Sequence, residues 1–263
     1  MAERRAGRAR RPDRARSQHF LRSQALAAQL VREAGVRPDE LVLDLGAGSG
    51  RLTAELAGTA DRVLAVELDA RWADALSGRW ANVEVVQADA VSLGLPSEPF
   101  RVVASLPFDR TTDILRHLLD DPSVPLIRAD VVVEWGVAVK RALPWPSTLN
   151  DVLWGAWYSS SVGRRLPRAC FDPPPAVDAG VLVFQRRARA LVPERCWQAY
   201  RGFAARGFRR GLRAVAPPRT LRKLRLARAE PRDLDAHQWA ELFSSCAASA
   251  TRPRRPRRAA RSP

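Results

Sequence analysis

Apolar residues follow two rhythms along the first 190 positions. Short, mainly apolar runs occur at 41–45 (LVLDL), 63–66 (VLAV), 83–87 (VEVVQ), 102–104 (VVA), 131–133 (VVV) and 181–184 (VLVF). Between them, apolar positions recur at three- and four-residue steps. Ser23 followed by Leu26, Leu30 and Val31, with Gly35 as a stop, predicts a capped helix through about Ala34. Further helices are predicted around 52–57, 71–80 and 112–119. Short β-branched runs separated by single helices predict βαβ units with a buried parallel sheet, an α/β fold.

From 191 to 250 the rhythm is helical. Trp197, Tyr200 and Phe203 stand at three-residue steps, and Leu221, Leu224 and Leu226 continue an apolar pattern. Around them lie Arg206, Arg209, Arg210, Arg213, Arg219, Arg222, Lys223, Arg225 and Arg228. A small C-terminal helical domain with an aromatic core and a cationic surface is expected. The two extremities are Arg/Pro/Ala stretches with no apolar period, which reads as disorder. The expected organisation is a basic arm (1–16), an α/β catalytic domain (17–187), a helical domain (188–250) and a basic tail (251–263).

With 263 residues, the chain can bury roughly 70–75% of its unfolded surface without disulfide help. No apolar run is long enough to span a bilayer, and the Arg-rich start lacks a signal-peptide core. Cys170, Cys196 and Cys246 form no CxxC pair, which argues against a zinc site or disulfide framework and fits a reducing cytoplasm. The formal net charge is +16. Arg supplies 42 of the 44 basic residues, so codon bias explains the choice of Arg but not the excess of base over acid. That excess is localised: residues 1–22 carry +6, 23–187 carry −4 and 188–263 carry +14. A mildly acidic core flanked by basic segments points to a polyanionic partner, most naturally nucleic acid.

Parallel α/β sheets bind ligands at the carboxyl ends of their strands. Chemistry-bearing residues stand at those ends. Gly46-Ala47-Gly48-Ser49-Gly50 follows the first run, Glu67 ends the second, Asp89 follows the third, and Ser105-Leu106-Pro107-Phe108 ends the fourth. A glycine turn lets backbone approach a ligand. It serves dinucleotide enzymes and methyl-donor enzymes alike. The third glycine of a dinucleotide GxGxxG would fall at Arg51, so GxGxG after Asp44 fits a methyl donor better. Glu67 can accept from both ribose hydroxyls of an adenosine, and Asp89 from its exocyclic amine. A flipped base could stack on Phe108. Taken singly, each has a bland alternative: a tight turn, a solvated acid, a core phenylalanine.

As a set, these residues resemble the rRNA adenine N6-methyltransferases, which comprise the Erm-type 23S enzymes and the small-subunit dimethyltransferases. The resemblance runs through Ser17-Gln18-His19-Phe20-Leu21, Leu43–Gly50, Val66-Glu67-Leu68-Asp69, Gln87-Ala88-Asp89-Ala90, Ser105–Phe108 and Phe171–Asp178, covering roughly 17–250. The Arg-rich chain and its Trp239…Leu242-Phe243 end resemble the actinobacterial Erm group. The resemblance implies a Rossmann-like fold that takes S-adenosyl-L-methionine. It implies a donor site of His19, Leu21, Gly46, Gly48, Glu67, Leu68, Asp89, Ala90 and Ser105. It also implies a catalytic strand end of Ser105, Leu106, Pro107 and Phe108. Two positions depart from the family pattern: His19 and Ser105 each stand where Asn is usual.

The implied activity is methylation of an adenine N6 in the peptidyl transferase loop of 23S rRNA. It would confer macrolide–lincosamide–streptogramin B resistance, with a monomer acting in the cytoplasm before ribosome assembly is complete and needing no metal. Three alternatives stay open: a small-subunit dimethyltransferase, a non-catalytic RNA-binding protein on the same fold, and a nicotinamide dehydrogenase. Arg51 and the charge weigh against the last.

Overall fold

The structure, a computed structural model, describes residues 19–250. The arm 1–16, the tail 251–263 and Ser17-Gln18 of the opening motif lie outside the described residues.

The chain opens with a two-residue strand, β1 (Phe20–Leu21), and then α1 (Gln24–Ala34). Ser23 caps α1 by accepting from the Leu26 amide, and Gly35 ends it in the left-handed region at φ 62°. Arg101 ties that end to the sheet. It donates to the carbonyls of Ala34 (2.8 Å) and Gly35 (2.7 Å) and pairs with buried Glu40 at 2.9 Å.

There follow β2 (Leu41–Leu45), α2 (Arg51–Ala57), β3 (Arg62–Glu67), α3 (Ala70–Leu76), β4 (Val83–Gln87), β5 (Phe100–Ser105), α4 (Thr111–Leu119) and β6 (Leu126–Glu134). This is the alternation that the periodicity predicts. Two boundaries differ. α3 stops at Leu76 rather than about Trp80, because Ser77 leaves helical geometry and Gly78 turns left-handed at φ 72°. β6 begins five residues before the Val131 run. Arg128 and Asp130 extend it without penalty because they neutralise each other at 2.7 Å.

Next come α5 (Trp135–Ala142), α6 (Leu149–Trp154), β7 (Tyr158–Leu166), β8 (Phe171–Asp172) and β9 (Ala179–Arg186). Of these, only β9 was legible as an apolar run. The inner positions of β7 are mostly exposed, which removes the alternation that would mark a strand.

The main sheet has seven strands in the order β4-β3-β2-β5-β6-β9-β7. Its β2–β3, β3–β4, β2–β5 and β5–β6 pairs are parallel. The chain steps outward from β2 to β3 and β4, then returns to place β5 on the other side of β2. The crevice at that reversal, beyond the carboxyl ends of β2 and β5, is where such sheets bind ligands. A separate two-stranded sheet pairs β1 with β8, Phe20 opposite Asp172 and Leu21 opposite Phe171.

The described residues fall into two compact units. The first runs through Leu118 and adds Val124–Val139 and Val162–Val183. Its core includes Leu30, Val31, Val42, Leu56, Val63, Val103 and Phe171. The second comprises Leu119–Ser123, Lys140–Ser161 and the residues from Phe184 onward. It holds α6, α7 (Trp197–Arg210), α8 (Pro218–Lys223) and α9 (Ala236–Ala250). Its aromatic residues pack on one another as predicted. Trp157 meets Trp197 at 5.4 Å, and Phe243 meets Tyr200 at 5.3 Å and Phe203 at 5.4 Å, all edge-on. The segment 191–250 holds three helices, separated where Gly211, Pro217 and Pro231 interrupt the helical pattern.

Candidate functional site

The turn after β2 is built around its glycines. Gly46, Gly48 and Gly50 have φ of 78°, 51° and 77°, a region that L side chains rarely enter. A Cβ at Gly48 would also fall 2.6 Å from a ring carbon of Phe20, and one at Gly50 would collide with the Leu76 side chain. The amides of Gly46 and Ala47 both donate to the Val66 carbonyl, at 2.7 and 3.1 Å, which fastens the turn to the end of β3.

Glu67 ends β3 at 6% exposure. One of its oxygens accepts from the Gly48 amide and the other from the Asp69 amide, each at 2.8 Å. The carboxylate is thus held rigid, and each oxygen keeps a further lone pair. Asp89, beyond β4, accepts from the Val91 amide at 3.1 Å, and its other oxygen faces Arg110 at 3.4 Å. Asp44, inside β2 at 1% exposure, accepts from the Thr53 hydroxyl at 2.7 Å. Burial, reinforced by the nearby Glu67 charge, pushes the Asp44 carboxyl well above the usual range.

Ser105 closes β5, and the Leu106 amide donates to Val132 at 3.1 Å. Pro107 then directs the chain into a short turn opened by Phe108. Among the described residues, neither the Ser105 hydroxyl nor the Leu106 carbonyl has a hydrogen-bond partner. The Phe108 ring lies 5.6 Å from His19 and 6.4 Å, edge-on, from Phe171. His19 donates through Nδ1 to the Pro173 carbonyl at 2.8 Å. The β1–β8 pairing therefore carries His19 and Phe20 from the opening motif to the strand-end residues. Asp178 of the Phe171–Asp178 motif has a different task. It accepts from the Arg168 amide at 2.9 Å and pairs with Arg165, so it shapes the loop rather than the cavity.

All of the sequence-predicted site residues line one cavity of about 300 Å³: His19, Leu21, Gly46, Gly48, Glu67, Leu68, Asp89, Ala90, Ser105, Leu106, Pro107 and Phe108. Phe20, Asp44, Arg51, Asp69 and Arg110 line it too; Asp44 and Arg51 enter the sequence reading only as markers of the glycine motif, and none of the five is predicted to touch a ligand. A signal existed for two of these: Arg51 directly follows the glycine turn, and Arg110 lies two residues beyond Phe108. Among the described residues, no group of three His, Cys, Asp or Glu is arranged to hold a metal ion, and no helix is long and apolar enough to cross a membrane.

A second feature lies in the C-terminal unit. Arg206, Arg209, Arg210, Arg213, Arg219, Arg222, Lys223, Arg225 and Arg228 are all exposed. None has a carboxylate within 4 Å among the described residues. Nine unneutralised cations within 23 residues make a surface suited to phosphates.

Known proteins match most of the chain. The family model described as ribosomal RNA adenine dimethylase matches residues 12–216. An rRNA adenine N-6-methyltransferase of Bacillus licheniformis is 29% identical over 243 residues, 87% of this chain and 85% of that protein. The mycinamicin-resistance protein MyrB of Micromonospora griseorubida is 33% identical over 249 residues, 90% of this chain and 79% of that protein. The crystal structure of the 23S rRNA methyltransferase ErmE superposes with a TM-score of 0.75 at 28% identity, covering 87% of this chain and 99% of the other.

Proposed function

The chain belongs to the ribosomal RNA adenine dimethylase family, and from that premise we propose its reaction and target. It transfers a methyl group from S-adenosyl-L-methionine to N6 of an adenine in the peptidyl transferase loop of 23S rRNA, conferring macrolide–lincosamide–streptogramin B resistance. The observation that carries this reading is that Ser105–Phe108 opens onto the same cavity as Glu67 and Asp89, with the Leu106 carbonyl unpartnered. The large subunit is favoured because the ErmE structure is 28% identical over 87% of this chain, against 16% for a dimethyladenosine transferase structure that covers as much.

The residues present fit the donor. Five acids against two arginines line the cavity, which suits a ligand with positive charge, and three left-handed glycines leave backbone bare where a ligand must come close. Glu67 holds the ribose hydroxyls and Asp89 the adenine amine. His19, Leu21, Gly46, Gly48, Leu68, Ala90 and Ser105 complete the surround. When bound, the donor supplies an activated methyl on a positively charged sulfur.

The rest of the work is positioning. Phe108 stacks the target base. The Leu106 carbonyl and the Ser105 hydroxyl accept from its amine, which draws the nitrogen lone pair out of conjugation with the ring. The proton leaves to solvent after transfer, so no nucleophile is required. The Leu106 carbonyl belongs to the backbone, so the contact survives Ser105 in place of the usual Asn. In this reading residues 188–250 dock the RNA, and the enzyme works as a cytoplasmic monomer on rRNA that is not yet fully assembled.

Transfer of labelled methyl from the donor to protein-free 23S rRNA, with primer extension to locate an adenine whose pairing two methyl groups block, tests the proposal. Arrest at one adenine is expected, with none on 16S rRNA. Arrest on 16S alone would identify a small-subunit enzyme, and donor binding without transfer to either RNA would identify a non-catalytic binder. Phe108→Ala should lower turnover roughly 10- to 100-fold, the range for losing one base–aromatic stack, while donor affinity stays within about twofold. Unchanged turnover would remove Phe108 from the stacking role.

A further inference from the structure

Among the described residues, the charges lining the donor cavity leave one arginine without a carboxylate partner. Arg110 is engaged by Asp89 at 3.4 Å and by Asp113 at 3.8 Å, and Asp69 is engaged by Arg71 at 2.7 Å. Arg51 also lines the cavity, immediately beyond Gly50. No carboxylate lies within 4 Å of its guanidinium among the described residues, and its Nε is buried with no hydrogen-bond partner. The acid one helical turn along, Glu55, is already taken, since it accepts from Gln24 at 2.5 Å. The same Gln24 amide donates to the Arg51 carbonyl at 3.0 Å, which steadies the backbone but leaves the side chain free.

A buried guanidinium N–H without an acceptor calls for one, and the positive charge behind it favours an anionic one. Under the donor reading of this cavity, on which this inference rests, Glu67 and Asp89 occupy the adenosine end. The methyl donor has two positive groups, its sulfonium and its ammonium, and a single negative one, its α-carboxylate. Arg110 is held by Asp89 and Asp113, so Arg51 is the wall cation left to answer the carboxylate. We infer that Arg51 binds the α-carboxylate of the donor's amino-acid end through a charge-assisted hydrogen bond. The residue that breaks the dinucleotide glycine pattern therefore has a positive role: it makes the turn selective for an amino-acid-bearing nucleoside.

Two ligands separate this role from a structural one. S-adenosylhomocysteine carries the carboxylate, whereas 5′-methylthioadenosine keeps the adenosine and the thioether but lacks the amino-acid end. Calorimetry on the full chain should find S-adenosylhomocysteine bound about 10- to 100-fold more weakly by Arg51→Gln, the range for one charged hydrogen bond. Affinity for 5′-methylthioadenosine should stay within about twofold. Arg51→Lys should recover part of the loss, because it restores the charge without the planar fork. Equal weakening of both ligands, or of neither, in variants whose thermal melts match wild type would overturn the assignment. Failure of the wild-type protein to bind either ligand would instead overturn the donor reading itself.

Discussion

Asp44 carries the least expected property of any single residue here. Its carboxyl is pushed up to about 7 by burial and, to a lesser extent, by the Glu67 charge, against the opposing bonds from Thr53. In the unfolded chain the same group titrates near 3.8. The folded protein therefore keeps a proton that the unfolded chain has released. The stabilising contribution is complete below about pH 4 and is lost as pH rises to about 7. A cation in the cavity favours the ionised form, so donor binding should release a proton near neutrality. Measured calorimetrically, affinity for the donor should rise several-fold more between pH 6 and 8 in wild type than in Asp44→Asn. The ligand-free variant should also melt higher than wild type at pH 8. Parallel pH profiles for the two proteins would refute this. In the sequence Asp44 serves only as a marker of the glycine motif, because it sits inside an apolar strand, where local pattern says only that the position is buried. Glu67, Asp89 and Ser105 were legible because they stand at strand ends.

At the scale of elements, the turn after α8 shows backbone geometry and charge competing for one position. Arg225 lies in the left-handed region at φ 61°, where helix ends favour glycine. The Leu226 amide reaches back to the Leu221 carbonyl at 2.7 Å, and the Arg225 amide to Arg222 at 3.1 Å, the two bonds of a Schellman cap. Replacing Arg225 by glycine removes the Cβ strain and should raise unfolding stability in urea by about 1 kcal/mol. It also removes an exposed cation, so RNA affinity should fall. A variant that loses stability would show that the Arg225 conformation is not strained.

The other element-scale lesson concerns partners. α1, α2 and β2 to β5 follow from local apolar rhythm, and their boundaries fall within a few residues of expectation. β1 and β8 are two residues each and lie 150 residues apart, and nothing in their own sequence makes them strands. They exist because they pair with each other over a core anchored by Leu21 and Phe171.

For the whole molecule, the net charge of +16 resolves into two environments. The donor cavity is acidic, and the nine exposed cations of 206–228 lie in the other compact unit. If those cations hold RNA, changing Arg206, Arg213, Arg222 and Arg228 together to Gln should weaken RNA binding. It should also flatten the slope of log affinity against log salt by about 3, at roughly 0.7–0.9 per phosphate contact. Donor affinity should stay constant. A salt slope equal to wild type would show that these residues make no phosphate contacts.

What the sequence determined by itself was the set of chemical groups and the order in which strand ends present them. That information is local, because hydrophobic period and glycine spacing act within one element and its turn. What only the tertiary structure decided was which groups meet and in what surroundings. It brought His19 to Phe108, left Arg51 unpaired by giving Glu55 to Gln24, and buried Asp44 deeply enough to hold its proton to about pH 7. Those outcomes depend on contacts between residues far apart in the chain and on desolvation, and neither is written in the neighbours of any one residue.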